Sequence, residues 1–179
     1  MGSAADDTIK YVKLAKQGDV EAFRHLYEQI YKELYRYALS VMKDSFDAED
    51  AVSDTILAAY RQIQKLKDEN AFRSWIFVIL SNKCKRMHSK RRYDEHIDNM
   101  DIPADSNMED ELIVRMQYEN LDYESRIVIG LSVFAGFSSD EISKIIHKRP
   151  GSVRAIKSRA LQKLKNQLER KGVYEPGQR

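Results

Sequence analysis

The chain has 179 residues, 42% of them hydrophobic and 32% charged, which suits one globular domain or two small ones. No apolar run approaches the roughly 18 residues that a membrane-spanning helix needs, and no signal-peptide pattern opens the sequence, so we expect no membrane insertion. The single cysteine, Cys84, excludes an internal disulfide and fits a reducing cytoplasm. Seven glycines and three prolines are few, which favours a mostly helical chain.

The net charge of +2 conceals an uneven distribution of charge. Residues 1–93 hold 17 basic and 13 acidic side chains, and residues 112–179 hold 13 basic and seven acidic ones. Between them, residues 94–111 hold eight acidic side chains and no lysine or arginine. Dense like charge, few apolar residues and a proline are typical of a flexible linker. We therefore predict two small helical domains, 1–93 and 112–179, joined by an acidic flexible linker at 94–111.

Three helices are predicted at the start of the first domain. A short one runs from Ile9 to Lys16 and ends before Gly18. Asp19 is predicted to cap the second, whose apolar stripe consists of Phe23, Leu26, Tyr27, Ile30, Leu34, Tyr37 and Val41. Asp47 is predicted to cap the third, in which the inward residues are Val52, Ile56, Ala59 and Ile63.

The predicted fourth helix changes character along its length. Phe72, Trp75 and Ile79 share one face and are predicted to lie in the core. The same face continues to Asn82 and Arg86, where six of the ten residues from 83 to 92 are lysine or arginine. This is more positive charge than a helix C-terminus requires. A polyanionic partner is therefore predicted for this end of the helix.

The second domain contains a predicted helix-turn-helix at residues 138–165. It follows an apolar stripe made of Leu121, Ile127, Val128, Leu131 and Phe134. Ser138 and Glu141 have capping-box spacing, and Pro150 suits the first position of a second helix. That helix places Val153, Ile156, Ala160 and Leu164 on one side, and on the other Arg154, Ala155, Ser158, Arg159 and Gln162.

A basic second helix of this kind can enter the major groove of DNA. The same residues also fit an ordinary helical hairpin with a solvated basic face, and on their own they leave both interpretations open.

In their order along the chain, the motifs between about residues 20 and 168 resemble a bacterial RNA polymerase sigma factor of the sigma-70 family, extracytoplasmic-function (ECF) group. The polymerase-binding helix of that family usually starts DAED, and residues 47–54 read DAEDAVSD. The FxxWL…N signature has its counterpart in FRSWI at 72–76, followed by Asn82. The residues that resemble the family's fourth conserved region are Leu121, Arg126, Leu131 and Gly136, followed by Glu141-Ile142 and Gly151-Ser152-Val153.

The resemblance implies a factor that binds core RNA polymerase and directs promoter recognition, promoter melting and transcription initiation, without catalysis, cofactor or metal. The residues implied to bind polymerase are Asp47, Glu49, Asp50, Ser53 and Asp54. Those implied to bind the minus-ten strand are Asn82, Lys83, Lys85, Arg86, Lys90, Arg91 and Arg92. Those implied to bind the minus-thirty-five duplex are Lys148, Arg149, Ser152, Arg154, Ala155, Ser158 and Arg159. An anti-sigma protein and a cytoplasmic location are also implied.

Three positions depart from the family pattern. Arg86 stands where the family usually has aspartate or asparagine, and Ser53 replaces a common glutamine. Ile156-Lys157 stands where the family usually has Arg-Leu.

Two other classes of protein were weighed against this one. A helix-turn-helix regulator with a helical sensor domain would bind promoter DNA tightly without polymerase, but the basic helix end and the acidic linker argue against it. An enzyme is disfavoured because the four histidines have no metal-ligand spacing and neither a phosphate loop nor a nucleophile motif occurs.

Overall fold

The computed structural model describes residues 4–94 and 120–170, and the helices in these ranges confirm the all-α fold. The α-helices in them are α1 (Ala4–Lys16), α2 (Val20–Met42), α3 (Ser45–Gln62), α4 (Phe72–Asp94), α5 (Tyr123–Val133), α6 (Ser139–Ile145) and α7 (Pro150–Arg170). Two short 3₁₀ turns, Ile63–Lys65 and Glu69–Ala71, join α3 to α4. No strand occurs within the described ranges, and none of their helices is long and apolar enough to cross a membrane.

Aspartate side chains begin both long helices of the α2–α3 hairpin. Asp19 caps α2 as predicted, since its Oδ1 accepts a hydrogen bond from the backbone N–H of Ala22 at 3.0 Å. The predicted cap of α3 is wrong by three residues, because Asp44 Oδ1 accepts from the backbone N–H of Asp47 at 2.9 Å. Between the end of α2 and the start of α3, only Asp44 has the extended backbone that a capping residue adopts. Asp47 therefore lies in the first turn of α3, and its carboxylate is available for another partner.

The core of α4 is displaced from the predicted face. Phe72 is buried, but Trp75 and Ile79 are only half-buried. The fully buried residues of this helix are Ile76, Phe77, Leu80 and Cys84. The reason is that α4 packs on two sides, against α2 and α3 on one and against the C-terminal helices on the other.

Helix α4 continues to Asp94, so the first residue of the predicted linker belongs to a helix. The rest of that linker, 95–111, and the apolar residues that follow it lie outside the described ranges. The division into two domains at 94–111 stays a prediction.

The helix-turn-helix forms as predicted from α6 and α7. Glu141 donates its backbone N–H to Ser138 Oγ at 3.3 Å, and Glu141 Oε2 accepts from the backbone N–H of Ser138 at 2.8 Å, so the capping box is complete. His147 turns the chain with a φ of 55°, and Pro150 begins α7. Val153, Ile156 and Ala160 are buried along α7, which leaves its basic side exposed.

Helix α5 packs against α2 and α6 packs against α4, while α7 packs on α5 and α6. Arg126 of α5 is buried and donates through Nε to the carbonyl of Val41 at 3.0 Å and through Nη1 to that of Leu121 at 2.7 Å. Arg73 of α4 pairs with Glu33 at 2.7 Å and donates to the carbonyl oxygen of Ala135. We call the contact surface between α2–α4 and α5–α7 the block interface.

Gly130 permits the close approach of α5 to α2. A Cβ at this position would lie 2.6 Å from Ser40 Oγ and 3.0 Å from Tyr37 Cδ2. Ser40 Oγ is itself held by a 2.7 Å hydrogen bond to the carbonyl of Tyr37. A side chain at position 130 would therefore clash with α2 across the block interface, whereas α5 itself could still form.

We expect Gly130→Ala to be less stable than its matched control, Gly151→Ala, by about 1–3 kcal/mol, the usual cost of overpacking. Both changes gain helix propensity, but a Cβ at Gly151 meets no heavy atom within 4 Å. Thermal unfolding measures the difference, and small-angle scattering should show a larger radius of gyration for Gly130→Ala. Adding Ser40→Ala removes the nearest atom but leaves Tyr37 Cδ2 at 3.0 Å, so it should recover part of both values; unchanged instability in the double variant would contradict this account.

We expect the thiol of Cys84 to be unreactive in the native chain. The side chain is fully buried, and burial raises its pKa to about 12, so the reactive thiolate is scarce at pH 8. A colorimetric thiol reagent should label native protein at least a hundredfold more slowly than denatured protein. Rapid native labelling would show that the thiol is accessible.

Candidate nucleic-acid and polymerase interfaces

The final turns of α4, residues 83–92, form a basic tip that extends past the core. Cys84 faces inward, while Lys85, Arg86 and Lys90 are exposed. Asn82, one turn earlier, is also exposed, whereas Lys83 is only partly exposed. The structure therefore gathers the predicted minus-ten residues on one end of one helix. The side chain of Arg92 lies outside the described residues.

A surface cleft of about 480 Å³ opens at the basic tip. Four cationic side chains and one carboxylate line it, together with Met87 and Ser89: Lys83, Lys85, Arg86, Lys90 and Asp54. A concave surface with this excess of positive charge attracts phosphates and raises their local concentration. Because Asn82 lies beside it, the tip offers an amide for a base edge and cations for a backbone.

Two ion pairs cross from α3 to the basic tip. Asp54 Oδ2 lies 2.9 Å from Lys83 Nζ, and Asp47 Oδ2 lies 2.7 Å from Arg91 Nη1. Burial raises the pKa of Asp47, the carboxylate of Asp44 raises it further, and Arg91 opposes both. Two residues predicted to bind polymerase thus contact two residues predicted to bind DNA, a pairing that the sequence did not reveal.

The outward side of α3 carries an exposed stripe that we call the outer α3 face. Its members are separated by four, three, four and three residues: Phe46, Asp50, Ser53, Leu57 and Tyr60. The exposed fractions of the three large apolar members are 56% for Phe46, 54% for Leu57 and 45% for Tyr60. A 4-3-4-3 spacing is that of the seam along which one helix packs on another.

The polar members of this face were predicted from the sequence, but its apolar members were not. The sequence does carry a signal for them, because Phe46, Leu57 and Tyr60 do not fit the inward pattern of the same helix. The other predicted polymerase residue, Glu49, is exposed beside the face.

The predicted minus-thirty-five residues form one continuous surface. Lys148 and Arg149 lie in the turn, and the others occupy the exposed side of the first turns of α7: Ser152, Arg154, Ala155, Ser158 and Arg159. Arg154 Nη2 lies 2.8 Å from Asp140 Oδ1 of α6, and Lys148 pairs with Glu124 of α5. Arg159 Nε donates to the carbonyl of Ala155 at 3.3 Å.

Within residues 4–94 and 120–170, no group of three or more histidine, cysteine, aspartate or glutamate side chains could hold a metal ion. The expected lack of catalysis and of cofactors stays a prediction.

Most of the chain is similar in sequence to proteins of known function. The family model for sigma-70 region 2 matches residues 26–93, which include the outer α3 face and the basic tip. The ECF RNA polymerase sigma-E factor of Haemophilus influenzae is 26% identical over 177 residues, covering 88% of this chain and 93% of that protein. The ECF sigma factor SigL of Mycobacterium tuberculosis is 26% identical over 169 residues, covering 89% and 96%.

Two solved structures are similar over most of their length. CnrH, determined in complex with the cytosolic domain of CnrY, matches with a TM-score of 0.72 and 26% identity over 91% of this chain and 97% of that one. RpoE of Bartonella quintana, determined with the anti-sigma factor NepR, matches in fold with a TM-score of 0.71 and 21% identity over 84% and 98%.

Residues 26–93 match the sigma-70 region 2 family, and over most of its length the chain is similar to ECF RNA polymerase sigma factors. It is a sigma factor that directs transcription initiation, and the family is not a class of enzymes.

Proposed function

We propose that the chain brings core RNA polymerase to a promoter through three surfaces: the basic tip for the minus-ten strand, α7 for the minus-thirty-five duplex and the outer α3 face for polymerase. The observation that carries this proposal is the presence of two exposed basic surfaces, on α4 and α7, in one chain with an exposed helix seam on α3.

The basic tip suits a single strand better than a duplex. Its cleft offers cations for the backbone, and Asn82, which precedes the cleft residue Lys83, is exposed. Trp75 lies seven residues before Asn82, two turns away on the same side of α4, and is half-exposed. Single-strand binding combines a cationic groove with an aromatic surface on which bases stack. Arg86 in this cleft adds a phosphate or guanine contact at a position where the family usually has an acid or amide.

Helix α7 suits the major groove. Its buried side holds it against α5 and α6, and the exposed side presents Arg154, Ser158 and Arg159. Arginine donates two parallel hydrogen bonds to guanine, and lysine or arginine in the preceding turn positions the helix on phosphates.

Binding both promoter elements at once requires the block interface to open. The names of the elements place them about 25 base pairs apart, or about 85 Å at 3.4 Å per step. A closed globule of the described size is only about 40 Å across. The predicted linker residues 95–111 add at most about 60 Å when fully extended. The chain is therefore long enough to span a promoter only when α5–α7 leave α2 and α4.

Further partners follow from the comparisons. CnrH and RpoE were each solved with another protein, named as an anti-sigma factor in the case of NepR. We propose that an anti-sigma protein binds this chain too, that the chain works in the cytoplasm without membrane insertion, and that it has no catalysis or cofactor of its own.

The test of the whole proposal is transcription in vitro with core polymerase and fragmented genomic DNA, followed by sequencing of transcript starts. We expect starts that depend on the added chain and share minus-ten and minus-thirty-five sequences. A chain that shifts promoter DNA tightly without polymerase, and adds no starts, would be an ordinary helix-turn-helix regulator.

We expect Leu57→Ala to weaken binding to core polymerase by about 1–2 kcal/mol, the range of a moderate to strong interface residue. Its stability should change by less than about 0.5 kcal/mol because the side chain is exposed. The matched control is Val20→Ala, which truncates an equally exposed apolar side chain on α2. Fluorescence anisotropy with labelled chain measures both affinities. Equal loss in both variants would remove the outer α3 face from the polymerase interface.

We expect Arg159→Ala to reduce promoter-specific initiation by a factor that corresponds to about 1–3 kcal/mol, the cost of losing one base contact. Polymerase binding should stay unchanged, since Arg159 lies on α7. Abortive initiation assays and polymerase titrations separate the two, with Arg24→Ala as the control because Arg24 is an exposed α2 arginine paired with Glu21 and Glu28. Parallel loss of initiation and polymerase binding would contradict the assignment of Arg159.

A further inference from the structure

The two ion pairs between α3 and α4 join the proposed polymerase and minus-ten surfaces. Asp47 and Asp54 are seven residues apart on α3, about 10 Å along the helix, and Lys83 and Arg91 are eight apart on α4. The pairs Asp54–Lys83 and Asp47–Arg91 connect α3 and α4, which pack side by side, at two points along their length.

Each acid lies at the border of two surfaces. Asp54 adjoins Ser53 of the outer α3 face and also lines the cleft of the basic tip. Asp47 adjoins Phe46, the first member of the same face. A cationic partner docked on the outer α3 face therefore approaches the carboxylates that Lys83 and Arg91 already contact.

We propose that core polymerase and the promoter strand break these two ion pairs together: basic groups of polymerase take Asp47 and Asp54, and this releases Lys83 and Arg91 to phosphates of the minus-ten strand. The exchange rests on the proposed function and makes Asp47 and Asp54 positioning residues for two DNA-binding cations. In the free chain, the two ion pairs occupy these cations and thereby lower the affinity for promoter DNA until polymerase binds.

The pairs are suited to exchange because they are partly exposed. Side-chain exposure is 24% for Lys83 and 58% for Asp54, and 44% for Arg91 and 30% for Asp47. Ion pairs with this much solvent contact hold loosely, so each should couple the two ligands by about two- to fivefold. Coupling between two binding sites is reciprocal, and removal of a DNA-side cation must therefore favour the polymerase side.

The first test measures polymerase affinity of the full chain. We expect Lys83→Gln to bind core polymerase about two- to fivefold more tightly than the unaltered chain, because Asp54 is released. Lys85→Gln is the control for polymerase affinity: it removes the same charge from the same cleft, and Lys85 has no ion pair among the described residues. A lower or unchanged affinity for Lys83→Gln, or an equal gain for Lys85→Gln, overturns the exchange.

The second test counts the cations that a strand engages. The probe is a labelled 12-nucleotide single strand of mixed sequence, titrated at several salt concentrations without polymerase. Asp54→Asn should steepen the slope of log affinity against log salt by about 0.7, the value for one further phosphate contact on a single strand. Asp54→Glu, which keeps the carboxylate, should return the slope to its original value.

Asp50→Asn is the control for this slope. It removes the same charge from the same helix one turn away, and Asp50 makes no ion pair within the described residues. Its affinity for the strand should rise slightly while its slope stays the same. An equal slope change in Asp54→Asn and Asp50→Asn would overturn the exchange and indicate a general electrostatic effect of removing one negative charge. If the unaltered chain binds neither polymerase nor the strand, the proposed function fails as well.

Discussion

Helix α4 buries Ile76, Phe77 and Leu80 between the α2–α3 hairpin and the C-terminal helices, and the placement of the proposed DNA and polymerase surfaces depends on that burial. The ring of Phe77 meets Tyr37 on one side and Phe137 on the other, with centroids 5.6 and 5.1 Å away. Each such side chain contributes about 1.5–3 kcal/mol. Because the helix continues past this core, its last turns become the basic tip, and its position relative to α3 fixes the ion pairs.

Local patterns were sufficient to predict most elements, and packing from several sides explains the errors. The caps at Asp19 and Ser138 and the buried side of α7 follow from short-range spacing alone. The core side of α4 could not be predicted in this way. A helix between two neighbours buries Phe77 as well as Ile76, and a single apolar stripe through Trp75 does not include both of them. The cap of α3 was misplaced for a related reason: Asp44 and Asp47 have equal capping chemistry, and only the end of α2 at Lys43 selects between them.

The candidate sites show the same division. The clustering of cations on α4 and α7 is visible in the sequence, since each cluster lies on one helix. Contacts between helices are not, and so neither the pairing of Asp54 with Lys83 nor the burial of Arg126 could be predicted. Arg126 entered only as a motif residue, yet its guanidinium is buried at the block interface and donates to two carbonyl groups. Burial lowers its pKa, and a buried cation without those acceptors would be costly.

The strengths of these interactions determine which parts of the molecule can move. The exposed ion pairs are worth at most about 1 kcal/mol each, far less than the apolar burial that fixes α4. They can therefore change partners while α3 and α4 keep their places. The block interface is different, because the Arg126 hydrogen bonds and the close approach at Gly130 must be lost together when α5–α7 separate from α2. In the proposed exchange, polymerase binding at α3 favours the strand contact locally. Reaching the second promoter element requires an additional source of free energy, which we propose comes jointly from the duplex contacts of α7 and from the polymerase surface.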